Sequence, residues 1–207
     1  YEAQVSLGSG SSALTRFGDN VITQNVASDE LGLSVRLLKD GRMGKASTGY
    51  LTSDGITRCV GVAKAALAVS EQDPDLLLLV GPQKYKPKET FHTATAEFTP
   101  EARANGVGKA VAMFKKEGLR GAGIFSSEGG VSALANSRGL WAFHRSTNAS
   151  FSVSAMSADS SGWAEDNDQD VSKIAVERIA EVALRKALLG RSPAGIEPGA
   201  YTVVFEP

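Results

Sequence analysis

The run Leu31-Gly32-Leu33-Ser34-Val35-Arg36-Leu37-Leu38-Lys39-Asp40-Gly41-Arg42-Met43-Gly44-Lys45-Ala46 decides the fold. Asp-Gly between two apolar-rich stretches predicts a strand, a two-residue turn and a returning strand, because glycine takes positive φ without steric cost. A helix signal follows from Ser53, with Thr52 or Ser53 placed to accept a bond from an amide at the helix start. The unit is therefore strand, turn, strand, helix.

The chain carries a second copy of this pattern. Ser34, Val35, Gly44 and Ala46 match Ser152, Val153, Gly162 and Ala164, each 118 residues further on. Ser12-Ala13-Leu14 matches Ser132-Ala133-Leu134 at a spacing of 120, a drift that a turn insertion would produce. The shared order of elements, several strands followed by a long amphipathic helix, predicts internal repeats over about 1–70 and 119–190.

Working outward, Glu2 to Leu7 reads as a first strand, Gly8 to Ser11 as a flexible turn, and Ser12 to Phe17 as a second strand. Gly18-Asp19-Asn20 is a turn, and Val21 to Val26 a third strand. The first helix spans Ser53 to Val69, with Ile56, Val60, Ala63 and Leu67 on its apolar face. Leu76 to Val80 reads either as a buried strand or as an extended segment over the core. Pro82 and Pro87 exclude a helix after it. Thr99-Pro100-Glu101 opens a further helix with a cap, an N1 proline and an acid at the positive end. Val107, Val111 and Phe114 line its buried side, and Gly118 stops it. This helix has no counterpart and would join the repeats. The second unit reads as strands at Leu119–Phe125, Val131–Asn136, Leu140–Arg145, Phe151–Met156 and Ser161–Ala164. A last helix, capped by Asp168 or Asp170, runs to about Leu189 with Val171, Ala175, Ile179, Val182 and Leu189 buried. Tyr201 to Phe205 is a final strand. The fold class is α+β, antiparallel-rich sheets with long helices packed on one face.

Composition narrows the function classes. The 207 residues can bury a substantial core, and 42% hydrophobic with 22% charged content is that of a globular domain. A net charge of −1 gives no electrostatic footprint for nucleic acid. The single cysteine, Cys59, excludes an internal disulfide and fits a reducing, cytoplasmic setting. No apolar run approaches the roughly 18 residues of a membrane span. Tyr1 opens directly into strand-like sequence, with no signal peptide visible, so the reading is that the true start is missing. An apolar strand running straight into Glu206-Pro207 suggests a piece of a longer protein.

No residue emerges as catalytic, cofactor-binding or metal-binding. His92 and His144 are the only histidines, and neither has a partner at metal-ligand spacing. His144 reads as a sheet residue and Cys59 as a small buried apolar group in the first helix. Gly118, Gly121 and Gly123 suggest a dinucleotide loop but enter a strand, the wrong order. Asp166, Asp168, Asp170 and Glu177 occupy calcium-loop spacing, yet Val171 stands where that loop needs glycine. The simpler reading is helix capping with acids near the positive helix end. Lys84, Lys86 and Lys88 read as a solvated loop.

Four segments in order carry a resemblance. Thr15-Arg16-Phe17-Gly18-Asp19-Asn20-Val21-Ile22-Thr23-Gln24-Asn25 resembles the opening motif of the TldD/PmbA family. Gly32 to Arg36 with Gly41 to Thr48 resembles its next motif, and Ala135-Asn136-Ser137-Arg138-Gly139 its central Asn-Ser-x-Gly turn. Pro198 to Pro207 is similar to the segment leading into its second domain. The resemblance covers nearly the whole chain.

It implies the N-terminal domain of a longer protein, the C-terminal metallopeptidase-like domain being absent from residues 1–207. The family comprises zinc metallopeptidases that degrade or trim unfolded peptides, with non-catalytic paralogues that pair with them; its members were once called modulators of DNA gyrase. Zinc would be held in the missing domain, by a His-Glu-x-x-x-His helix and a later Cys in one branch. The Thr-Arg-Phe opening leans towards the PmbA-like branch, which lacks those ligands. The expected partners are a second copy or a paralogue, and unfolded peptides, with no nucleic acid and no membrane. The alternatives are a supporting non-catalytic subunit and a direct modulator of gyrase. A fragment without these motifs is expected not to cleave peptides alone, while an exposed sheet edge could still hold an extended peptide by strand addition.

Overall fold

The Asp40-Gly41 turn closes the hairpin as its sequence requires: both residues have positive φ, 51° and 70°. That conformation matches the twist of the flanking strands. In this computed structural model, which describes residues 1–86 and 88–205, the hairpin belongs to one antiparallel sheet. Pro87 and Glu206-Pro207, which the sequence reading used as a helix breaker and a chain end, lie outside the described residues.

The strands are β1 (Glu2–Gly18), β2 (Val21–Lys39), β3 (Arg42–Thr48), β4 (Arg120–Asn136), β5 (Trp141–Met156) and β6 (Ser161–Asp168). They lie in the order β3-β2-β1-β4-β5-β6. The helices are α1 (Ser53–Val69), α2 (Thr93–Ala96), α3 (Pro100–Lys116) and α4 (Val176–Leu189), with a 3-10 turn at Val171–Lys173. The fold is α+β.

The register recurs between the halves. Val5–Val35 and Val35–Ala46 are neighbours across β1, β2 and β3. Gly123–Val153 and Val153–Ala164, each position 118 residues on, are neighbours across β4, β5 and β6. The central strands pair with Ser11 opposite Gly129, again 118 apart, so the two halves are related about that point. In this register Ser12 takes the place of Gly130 rather than of Ser132, and the spacing of 120 has no counterpart in the sheet.

Alternation along each strand puts the helices on one face. Val35 and Leu37 pack with Cys59, Ala63 and Leu67 of α1. Phe17, Phe125, Phe151 and Val153 pack with Val107 and Phe114 of α3 and with Ile179 and Ala183 of α4. Gly44 and Gly162 make the helix approach possible. A Cβ on Gly44 would overlap the Ala63 carbonyl, and one on Gly162 the Ala183 carbonyl. Thr52 caps α1 by accepting from the Gly55 amide, and Thr99 caps α3 by accepting from Ala102.

Several expectations are corrected. Gly8 to Ser11 is no turn but the middle of β1, because both edges of β1 are hydrogen-bonded, to β2 and β4. The separate strands expected within β2, β4 and β5 are continuous because the residues between them stay paired with β1 or β4. Leu76 to Val80 is extended but forms no strand, and within it only Leu79 is fully buried. Asp168 ends β6, Asp170 caps the 3-10 turn by accepting from Ser172, and α4 starts at Val176. Ala175 and Leu189 are exposed, not buried. On α1 the buried face is Gly55, Cys59, Ala63 and Leu67, turned from the expected Ile56 and Val60. Tyr201 to Phe205 forms no strand and is exposed.

Candidate functional site

The face of the sheet away from the helices is floored by small residues. Register places Gly32, Gly8, Ser132 and His144 in one row across four strands, and Ser34, Ser6, Leu134 and Ala142 in a neighbouring row. Glu30, Gly10, Gly130 and Ser146 follow on the other side, and then Ser28, Ser12, Glu128 and Asn148. The rows are the floor of one groove, whose largest part encloses about 1030 Å³. It continues along the strands into hollows of about 800 Å³ and 440 Å³. From the first row to the last is six residues, or about 20 Å of strand.

The polypeptide between α1 and α2 roofs the larger end, where Tyr85, Lys86 and Lys88 line the groove. This strap is tied at both ends. The Leu79 amide donates to Glu2 Oε2 (3.3 Å), and Asn136 Nδ2 donates to the Val80 carbonyl (2.8 Å). At the other end Thr90 Oγ1 donates to the Arg145 carbonyl (2.7 Å), and the Thr147 amide donates to the Thr90 carbonyl (2.8 Å). Glu2 is itself held by Arg138, whose Nη2 lies 2.7 Å from Oε1. That hydrogen bond, with the Leu79 amide adding to it, holds the Glu2 carboxyl below the usual range.

The residues singled out from sequence do not converge. His92 Nδ1 lies 3.7 Å from Asp170 Oδ2, on the helix side of β5. His144 Nε2 is 3.5 Å from Thr90 Oγ1 and borders the groove. Cys59 is buried under α1. Asp170 is held below its ordinary value by the Ser172 hydroxyl and amide, and Asp168 by the Asp170 amide, so both are engaged in loop bonding. Gly121 and Gly123 lie within β4, and Gly118 ends the turn after α3 with φ 67°. Among the described residues no three His, Cys, Asp or Glu side chains come together, so this donor set does not fit zinc. Lys84 is exposed as expected, while Lys86 and Lys88 are exposed yet border the groove. The sequence reading missed the groove itself; its only local signal was the Gly and Ser enrichment taken for a turn.

Two family models match consecutive parts of this chain. The PmbA/TldA metallopeptidase domain 1 covers residues 3–67, and the PmbA/TldA metallopeptidase central domain covers residues 96–190. The chain belongs to the TldD/PmbA family. Its fold is that of solved relatives. TldE from Thermococcus kodakarensis superposes with a TM-score of 0.81 at 18% identity, over 90% of this chain and 44% of that one. A protein of Thermotoga maritima described as a candidate modulator of a DNA gyrase gives 0.79 at 18%, over 90% and 44%. One from Bacteroides thetaiotaomicron with a similar description gives 0.75 at 19%, over 90% and 45%. At these identities the likeness carries the fold alone. The TldD/PmbA chain described here spans less than half the length of each of these proteins. No protein of curated function matches it by sequence. No helix among the described residues is long and apolar enough to cross a membrane.

Proposed function

We propose that this chain is the N-terminal, peptide-handling part of a TldD/PmbA-type metallopeptidase subunit that acts on unfolded peptides. The observation that carries this is the groove: an extended chain of about six residues fits its length, and Gly and Ser leave the floor shallow enough for a backbone to lie close. Membership of a metallopeptidase-related family supports it. In this reading the zinc and the cleavage chemistry belong to a C-terminal domain, and the chain acts in the cytoplasm, paired with a second copy or a paralogue.

The test is zinc content and peptidase activity of the full-length protein on an unfolded peptide, alone and mixed with its paralogue. About one zinc per chain with activity alone supports a catalytic subunit. Activity only in the mixture supports the second reading, a non-catalytic supporting subunit, towards which the Thr15-Arg16-Phe17 opening leans. No activity in either sinks both. The modulator descriptions of two relatives motivate one control, gyrase supercoiling with saturating protein. An effect there would replace the peptidase reading.

A further inference from the structure

The two ends of the groove carry opposite charge. Lys86 and Lys88 are carried by the strap at one end, and Glu30 and Glu128 line the groove beyond. All four side chains are exposed. Among the described residues none of them is in an ion pair: the pairs that form involve other acids and bases. Between the ends the rows hold hydroxyls, glycines and the His144 ring. Alternation directs Arg145 to the opposite face, where its guanidinium lies 4.7 Å from the centre of the Phe91 ring.

We propose that the groove selects extended peptides by charge order. The occupant carries an acidic group at the strap end, against Lys86 and Lys88, and a basic group further along the groove, against Glu30 and Glu128. This rests on the peptide-handling reading and adds a selectivity to it. These charges of opposite sign act on different parts of an extended occupant. A peptide with both charges placed gains at both ends, while one with like charges is repelled at one end. Gly8 and Gly32 supply a steric handle. A Cβ on either meets nothing within 4 Å, so a side chain there projects into open space without disturbing the sheet.

The experiment measures fluorescence anisotropy of labelled Ala/Ser peptides of about eight residues with the 207-residue chain. One set has Asp at one end and Arg at the other, in both sequence orders; controls are neutral, doubly acidic and doubly basic. We expect one bipolar order to bind about tenfold tighter than the neutral peptide, a gain that high salt removes. Lys86→Glu/Lys88→Glu is expected to abolish the preference, and Gly8→Val/Gly32→Val to block all the peptides with an unchanged melting curve. Equal binding of bipolar and neutral peptides, or a preference that survives the lysine reversal, overturns charge selection and leaves the peptide-handling reading standing. No binding of any peptide overturns both. Sedimentation showing self-association that Gly8→Val/Gly32→Val abolishes also overturns both, by giving the face to a second copy.

Discussion

Arg103 is a buried cation without a carboxylate. It is 1% exposed, and among the described residues it pairs with no acid. Its Nη1 donates to the Phe98 carbonyl (2.6 Å), Nε to Thr15 Oγ1 (3.3 Å) and Nη2 to Asn25 Oδ1 (3.4 Å). Burial lowers its pKa from the ordinary value. Thr15 and Asn25 open and close the segment that first suggested the family, so that motif is in part a seat for an arginine nearly 80 residues away. Arg103→Ala leaves a cavity and a stranded carbonyl and should cost about 2–4 kcal/mol. Arg103→Met refills the space while Thr15 still donates to Asn25, so it should cost clearly less. Urea midpoints compare them, and a methionine variant less stable than the alanine one would refute this account. Glu2 is the second telling residue. Its carboxyl pKa is lowered in the fold, so its contribution is complete above the ordinary value of 4.5 and disappears as pH falls through the lower folded value. Amide exchange at Leu79 should therefore quicken on acidification in that window. Glu2→Gln should make it fast and nearly pH-independent once intrinsic exchange is divided out; an unchanged profile would mean that Glu2 does not latch the strap.

At the scale of elements, glycine has two opposite meanings in this sheet. On the helix side Gly44 and Gly162 let α1 and α4 rest on β3 and β6, and any Cβ there overlaps helix backbone. Backbone cannot rotate away as a side chain can, so Gly44→Ala and Gly162→Ala should each cost about 1–3 kcal/mol and shift α1 or α4 outward. On the groove side Gly8→Val should be neutral or stabilising, since a β-branched residue gains in a strand and finds free space. Thermal melts of the three variants decide this, and a tolerated Gly44→Ala would show that the helix is not seated as described.

At the scale of the whole molecule, the two halves share one sheet through the β1–β4 ladder, and turns lock them reciprocally. Asn20, at φ 63°, donates from Nδ2 to the Leu119 carbonyl (2.8 Å) and accepts the Gly121 amide on Oδ1 (2.8 Å). At the other end Ser137 donates its amide to the Ala3 carbonyl (2.8 Å) and accepts the Ala3 amide on its hydroxyl (3.0 Å). A shared ladder of this length leaves no surface on which one half could part from the other without exposing paired backbone. Unfolding should therefore be a single transition with equal calorimetric and van't Hoff enthalpies. Asn20→Ala should lower its midpoint more than Asn20→Gly, because alanine loses the bonds and also strains the positive φ. Two resolved transitions would mean that the halves are independent units.

What the sequence settled by itself was local. The Asp40-Gly41 turn, the Thr52 and Thr99 caps, the Gly118 stop and the helix bounds at Ser53 and Val69 each depend on atoms within a few residues, and all were legible. The positions matched at a spacing of 118 fall at equivalent places in the sheet register, and those matched at 120 do not. Tertiary structure decided the rest, where neighbours distant in sequence outweigh local preference. Gly8 to Ser11 has turn composition but lies between β2 and β4, and its partners across the ladders are Asp29 to Gly32 and Gly129 to Ser132 rather than anything nearby. Tyr201 to Phe205 has strand composition and no partner among the described residues, and a strand cannot exist without one. The groove belongs to neither the composition nor the motifs. It exists because register aligns small residues of four strands in rows, and because a strap tied at Glu2, Asn136, Arg145 and Thr147 roofs one end of them.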